Sequence, residues 1–310
     1  MLQAIDPALR ALLVAENDGS KLPLALSRFA ARFGVSNPTG AMNLATSALL
    51  ERYWKTASRA QRTISVQKLC ALADIDLVGK YPVRRRGRTV NPVLRRHDGL
   101  VNFSGDRPKI HIPPGVEGER ACVTIAHEIG HVLLHRRDSG FDEVTIKLPT
   151  SPEEEALAEY AARLLLMPGT PPRASGGNVA AAALAWAEGA SVTVHAATAR
   201  IGDPDQPKLG LRGAILWRVD STAPKNAHPW ERLTPAWHLC PNAFIPIGKC
   251  HAKVATVVGE LAGLGKPLSA EGEEDVRIGS LEGRFQVHAV AWGLLKHSTR
   301  LILSLFFEPG

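Results

Sequence analysis

Residues 120–135 read RACVTIAHEIGHVLLH, and they contain the motif His-Glu-x-x-His at His127, Glu128 and His131. The residues around the motif are mostly apolar, which predicts a helix that is buried on most of its sides. Residues four apart on a helix lie about 40° apart around it and about 6 Å apart along it, so two imidazoles can converge on one ion. The spacing therefore predicts a zinc site with His127 and His131 as ligands.

Glu128 follows the first histidine and lies on the flank of the same helix face. From there a carboxylate can hydrogen-bond a water molecule at the metal without taking a ligand position itself. Zinc lowers the pKa of such a water to about 7, and the carboxylate can complete its deprotonation and later protonate the leaving amine. Satisfied core histidines are the alternative, but buried polar groups on such a helix need partners, and a metal ion supplies them. The motif predicts peptide-bond hydrolysis with Glu128 as the catalytic base.

A zinc peptidase needs a third protein ligand and an open fourth position. The acidic stretch SPEEEALAEY begins at Ser151 and offers Glu155 and Glu159, which are four apart on a predicted helix, so only one of them need face the metal. Acidic residues at a helix N-terminus also complement the helix dipole, and the residues alone leave the choice open. His135 lies about 12 Å along the helix from His127, so we expect it to have a structural role.

Two stretches resemble the ImmA/IrrE family of metallopeptidases: TIAHEIGHVLLH at 124–135 and EALAEYAARLLLMP at 155–168. Members of the family show HELGHxLLH followed by a helix similar to ExxCDxFAAxLLMP. Placed without a gap, the leading glutamate of that helix falls on Glu155. The resemblance thus implies Glu155 as the third zinc ligand, with Glu159 in reserve. The sequence departs from the family pattern at Ala161, where the family has Phe, and carries its aromatic residue one place earlier, at Tyr160.

The resemblance also implies a fold and a function. It implies an α+β protein whose zincin-like peptidase domain is mainly helical with a small sheet. Members of the family typically cleave a helix-turn-helix transcriptional repressor, which relieves repression under stress or in mobile elements. We therefore expect a site-specific zinc endopeptidase with such a repressor as its protein substrate. The alternative is a DNA-binding or sensory transcriptional regulator that uses the peptidase fold as a scaffold. An intact Glu128 favours the enzyme, because a scaffold has no chemical need for it.

Hydrophobic spacing divides the chain into three predicted regions. These are a helical N-terminal region at 1–54, the peptidase domain at 55–205 and an α+β domain at 206–310, which is of ordinary domain size. Some relatives of the family carry a C-terminal GAF-like sensor domain, so position and size suggest a sensor or regulatory role for the last region. Helices are predicted at 22–33, 41–54, 120–135, 156–167, 179–187 and 193–201, and within 62–79 with an end near 73–76. Strand-like runs are predicted at 99–103, 109–112, 213–219, 285–292 and 300–307.

The helices predicted at 179–187 and 193–201 form a pair that resembles a helix-turn-helix. We expect this pair to pack with the peptidase domain rather than to bind DNA. Residues 80–96 carry seven basic side chains and no acidic one, within a chain of net charge +7 and pI about 9.4. A solvated basic loop is the favoured interpretation of this segment, and contact with nucleic acid or an acidic partner is the alternative.

The composition is that of a globular protein: 310 residues, 45% hydrophobic and 22% charged. Four scattered cysteines are too few for a disulfide framework and indicate reduced thiols: Cys70, Cys122, Cys240 and Cys250. The set His238, Cys240, Cys250 and His251 fits no zinc spacing. Charged residues interrupt the apolar N-terminus, which argues against a signal peptide, and no apolar run reaches the roughly 20 residues of a membrane helix. We expect a cytoplasmic protein that does not contact a membrane.

Overall fold

The computed structural model has an α+β fold, as the sequence predicts, with seven helices among the residues that it describes. The described residues are 22–57, 63–79, 99–103, 106–137, 140–141, 151–171, 177–203, 205–206, 210–219, 233–239, 261, 269–278, 281–294 and 299–307. The chain folds into two compact units. The N-terminal unit comprises residues 8–169 and 187–193, and the C-terminal unit comprises 1–7, 170–186 and 194–310. The basic segment at 80–96 lies outside the described residues.

The N-terminal unit begins with helices α1 (Leu24–Arg32) and α2 (Pro38–Thr56). The side chain of Asn37 caps α2 by accepting a hydrogen bond from the backbone N–H of Gly40, and proline in the first turn fits the fixed φ that a helix start requires. Buried residues recur along α2 at three- and four-residue spacing, the pattern of a helix with one face in the core. The two helices agree with the predicted ranges to within three residues at each end.

The helix predicted within 62–79 starts later than expected, at Val66, whereas its predicted end near 73–76 lies close to the observed end at Leu72. Helix α3 (Val66–Leu72) is capped by the Ser65 hydroxyl, which accepts from the backbone N–H of Lys68. The chain leaves the helix at Asp74, whose φ of 58° lies in the left-handed region. Strand β1 (Asp76–Gly79) follows directly. This strand was not predicted from the sequence, because the segment is short and lacks a clear alternation of apolar and polar residues.

A three-stranded sheet is formed by β1, β2 (Leu100–Asn102) and β3 (Lys109–Ile112). Its order is β1-β3-β2, with β3 parallel to β1 and antiparallel to β2. Helix α4 (Gly118–His135), which carries the His-Glu-x-x-His motif, packs against this sheet. A two-residue ladder of β4 (Arg136–Arg137) and β5 (Gly140–Phe141) follows α4.

Helix α5 (Pro152–Leu166) packs along α4. It starts earlier than the predicted residue 156, because Ser151 and Glu154 form a capping box in which each side chain bonds the backbone of the other. The two helices approach closely at Gly130. A Cβ built there would lie 2.9 Å from both the Cα and the carbonyl oxygen of Ala158. A glycine on α4 thus allows α5 to lie against the motif.

The C-terminal unit contains a five-stranded antiparallel sheet in the order β7-β6-β10-β9-β8. Its strands are β6 (Leu211–Val219), β7 (Leu233–Leu239), β8 (Ser269–Ile278), β9 (Leu281–Leu294) and β10 (Thr299–Phe307). The predicted strand runs at 213–219, 285–292 and 300–307 lie within this sheet, and those at 99–103 and 109–112 contain β2 and β3 of the smaller sheet. The buried indole N–H of Trp217 donates to the Ser304 hydroxyl at 2.8 Å, so the polar atoms of this neighbouring-strand pair are satisfied inside the sheet.

One face of the five-stranded sheet packs against the residues of α6 (Val179–Ala190) that belong to the C-terminal unit and against α7 (Val194–Ile201). The contact joins Ala180, Ala183 and Ile201 to apolar side chains of the strands. Asn178, just before α6, donates from its side-chain amide to the carbonyl oxygen of Ala270 at 2.9 Å. The predicted helical pair therefore contributes to the core of the C-terminal unit. Among the described residues, no helix has the length and apolar character needed to cross a membrane.

Candidate metal centre

Helix α4 brings the two histidines of the motif together. The Nε2 atoms of His127 and His131 lie 3.1 Å apart, with the rings nearly edge to face. Four-residue spacing places both rings on one side of the helix, as the sequence predicts. The His131 side chain is 9% exposed and that of His127 is 20% exposed, so the pair lies at the edge of the core and remains open to solvent on one side.

Helix α5 adds a carboxylate to this pair. The Oε2 atom of Glu155 lies 3.2 Å from Nε2 of His127, and its Oε1 atom lies 3.6 Å from Nε2 of His131. The capping box at Ser151 starts the helix so that Glu155 falls in its first turns, beside α4. One donor atom from each of His127, His131 and Glu155 lies within 4.8 Å of the other two. The structure thus places together the three residues that the sequence analysis names as metal ligands.

The three donors fit a tetrahedral zinc ion. Bond lengths of about 2.0–2.2 Å at tetrahedral angles place donor atoms about 3.3 Å apart. The distances between the two imidazole nitrogens and the Glu155 oxygens run from 3.1 to 3.6 Å. Two imidazoles and one carboxylate are also a ligand set that catalytic zinc sites use, leaving the fourth position open. The chemistry and the spacing of the donor set therefore suit this ion.

The electrostatic environment favours a cation at the same point. Burial of the His127 ring lowers its pKa, but the hydrogen bond with Glu155 and the charges of Glu128, Glu155 and Glu159 outweigh burial and hold this pKa above its ordinary value. Three carboxylates therefore make the site negative, and their charge stabilises positive charge at the ring nitrogens.

Glu159, the reserve ligand, has a different environment. Its side chain is 55% exposed and lies 3.8 Å from the Arg163 guanidinium, one turn further along α5. It is not a member of the three-donor cluster found among the described residues. Glu154 is buried, and its carboxylate accepts from the backbone of Ser151 in the capping box. Of the acidic residues on α5, only Glu155 contributes a donor to the cluster.

Glu128 lies beside the cluster without joining it. Its side chain is buried, and its charge acts on His127. The backbone of Gly99, one residue before β2, lies directly against the Glu128 side chain. Gly99 is not apparent as a site residue from the sequence, because the residues involved are far apart in the chain and glycine carries no chemical signal.

His135 is buried at the end of α4. Its ring is nearly parallel to that of His131, with 6.4 Å between centroids, and it packs edge to face on Phe103. It contributes no donor to the cluster. Of the second set of four, Cys240, Cys250 and His251 lie outside the described residues. Cys70 and Cys122 are free thiols, and burial raises the pKa of Cys70 to about 12.

Part of the chain matches the model of a known protein family. Residues 89–200 match the model of the IrrE N-terminal-like domain, Peptidase_M78. Among solved structures, a Mycobacterium tuberculosis transcriptional regulator aligns with 92% of this chain and 81% of its own, at 12% identity and a TM-score of 0.40. No curated protein shows a significant match. The matched segment contains both helices that carry the three-donor cluster.

Proposed function

Because residues 89–200 belong to the ImmA/IrrE family, we propose that the chain is a zinc-dependent, site-specific endopeptidase. The single observation that carries the proposal is the convergence of His127, His131 and Glu155 within 4.8 Å on two packed helices. Three protein ligands and an open fourth position are the arrangement of catalytic rather than structural zinc sites.

His127, His131 and Glu155 would hold the metal ion, which supplies a Lewis acid that polarises the peptide carbonyl and acidifies water. The two imidazoles would bind it through Nε2 and the carboxylate through an oxygen, the atoms that lie closest together in the cluster. The partial exposure of Glu155 and His127 leaves room for a substrate at the open side of the cluster. These three residues therefore bind the metal ion and orient it toward the substrate. Proton transfer requires another group.

Glu128 is that group in our proposal. It follows a metal ligand directly on α4, and its side chain is buried. Its carboxylate accepts the proton of the attacking water and then donates it to the amine of the leaving peptide. A positioned general base of this kind contributes about 100- to 10,000-fold to the rate.

The proposed substrate is a helix-turn-helix transcriptional repressor in the cytoplasm. The choice of substrate follows from the resemblance to the ImmA/IrrE family, whose members cleave such repressors. The same resemblance implies limited, regulated proteolysis of one partner. Residues 206–310 would then act as the sensor or regulatory region. A five-stranded sheet with a buried apolar face can carry a ligand pocket or a docking surface, whose binding energy shifts the peptidase between two states.

Incubation of the purified zinc-loaded protein with the repressor encoded by the neighbouring gene tests this function. We expect the repressor to be cut at one bond, identified by mass spectrometry, and Glu128→Gln to keep its zinc while the cleavage rate falls about 100-fold or more. The amide retains the shape of the side chain and loses the base. Wild-type cleavage by Glu128→Gln contradicts the role of Glu128. A zinc-loaded protein that binds the repressor's operator DNA and leaves the repressor intact favours the scaffold alternative.

A further inference from the structure

The metal ligands and the proposed base on α4 contact different neighbours. His127 and His131 face α5, which supplies Glu155. Thr124 and Glu128, also four apart and therefore on one side of the helix, lie next to Gly99, the residue before β2, where a Cβ would meet both side chains. The base thus borders the segment that leads into β2, whereas the ligands face the neighbouring helix.

The contact at residue 99 leaves no room for a side chain. A Cβ built on Gly99 would lie 2.7 Å from Cγ2 of Thr124, 2.9 Å from Oε1 of Glu128 and 3.1 Å from Cγ of Glu128. Contacts below about 3.4 Å are inside the usual separation of packed heavy atoms. Both Gly99 and Glu128 are buried, so the surroundings restrict where the Glu128 side chain can move.

We propose that Gly99 is a positioning residue for Glu128: the missing side chain lets the backbone lie against the base and sets the direction of its carboxylate. The inference rests on the proposed function, since it concerns the base of that reaction. Within these limits the carboxylate, at the far end of the Glu128 side chain, gives way more easily than the buried backbone of residue 99. A methyl group at residue 99 therefore turns the Glu128 carboxylate away while the metal ligands keep their places. Misplacement of a reacting group by about 1 Å can lower a rate about 100-fold.

A substitution at Thr124 distinguishes a positioning role of Gly99 from a loss of stability that is due only to overpacking. The shortest of the three contacts involves Cγ2 of Thr124, an atom that serine lacks. The double variant Gly99→Ala/Thr124→Ser lacks the close contact with Cγ2 of residue 124, but it keeps the close contacts between the added methyl group and Glu128. We expect the second substitution to restore the thermal stability that Gly99→Ala loses, but to leave the base misplaced.

The test uses the full-length protein loaded with Co²⁺, whose visible absorption reports the ligand set, and titration with acetohydroxamate. This probe chelates such ions through its two oxygens and shares its acidic proton with a carboxylate beside the metal. Loss of a hydrogen bond to a charged group weakens binding about 10- to 100-fold. We expect Gly99→Ala to keep the cobalt spectrum of the wild type and to bind acetohydroxamate more weakly by this factor. The matched control Thr124→Ser should bind it as the wild type does.

A double-mutant cycle decides whether Gly99 acts through Glu128. Glu128→Gln alone should show the same loss of affinity, and Gly99→Ala/Glu128→Gln should bind acetohydroxamate no more weakly than Glu128→Gln. Additive losses, or a Gly99→Ala variant with wild-type affinity, overturn the inference. If neither Gly99→Ala nor its pair with Thr124→Ser folds, Gly99 serves packing alone and the inference is also overturned. A wild-type protein that binds neither cobalt nor acetohydroxamate instead contradicts the proposed function.

Discussion

At the scale of single residues, two glutamates of α5 are alternatives for the same role. Glu155 lies within 3.2 Å of His127, whereas Glu159 is directed toward Arg163 and is more than half exposed. Their four-residue spacing places both on roughly the same side of α5, so packing against α4, rather than helix geometry alone, distinguishes them. The contacts favour Glu155 as the third ligand.

Substitution of each glutamate separates these alternatives. We expect Glu155→Ala to lose most of its zinc at micromolar free metal, since one of three protein ligands is removed. Glu159→Ala should retain zinc, because it removes only a nearby charge. Metal content after dialysis, measured by atomic absorption, gives the comparison, and each variant serves as the control for the other. The opposite order would make Glu159 the ligand.

Local spacing explains which part of the site could be predicted. The proximity of His127 and His131 follows from helix geometry, because both residues lie on one regular element. The position of Glu155 depends on how two helices pack. Its assignment as the third ligand therefore follows from the family resemblance rather than from residue spacing. The approach of Gly99 to Glu128 could not be predicted, since it joins a strand to a helix across 29 positions and involves a residue without a side chain.

At the scale of secondary-structure elements, the packing of α4 against α5 determines the geometry of the cluster. The two helices approach closely at Gly130, which faces the backbone of Ala158 and the Cβ of Ala161. Helix positions were predicted well where capping residues or long apolar runs mark them, as at Asn37 and along α4. The short strand β1 was not predicted, because its four residues form a strand only through their pairing with β3.

Gly130→Ala should move the two helices apart. The added methyl group would lie 2.9 Å from the backbone of Ala158, and overpacking of this kind costs about 1–3 kcal/mol. We expect a lower free energy of unfolding in urea and weaker zinc binding, because Glu155 moves with α5. Gly189→Ala is the matched control: a Cβ there meets no atom within 4 Å, so alanine should leave stability unchanged or slightly higher. Equal stability and equal zinc affinity in both variants would contradict the packing argument.

At the scale of the whole molecule, all the proposed ligands and the base lie in the N-terminal unit. The boundaries at residues 54 and 205 stay predictions. Within the C-terminal unit, α7 and the first turns of α6 cover one face of the sheet, so a chain that ends at Asp205 would keep these apolar helices without the strands they pack on. Sequence patterns identified the helices and half of the described strands, but they carry no direct signal for which elements share a core.

Two truncations test the arrangement of the chain. We expect a chain that ends at Gly169 to remain folded and to bind zinc. A chain that ends at Asp205 should be less soluble, because it exposes the buried faces of Ala180, Ala183 and Ile201. If regulation resides in the C-terminal region, the shorter chain also cleaves without responding to the natural signal. Loss of zinc binding from the Gly169 truncation would show that the C-terminal region completes the peptidase core.

The proposed function depends on a zinc ion held by His127, His131 and Glu155. Elemental analysis by inductively coupled plasma mass spectrometry of the full-length protein, alongside His131→Ala, tests it most directly. We predict about one zinc per chain in the wild type and loss of most of it in the variant, with the circular dichroism spectrum retained. A wild type that binds no zinc after reconstitution, or a His131→Ala variant that keeps its full zinc content, would contradict the account.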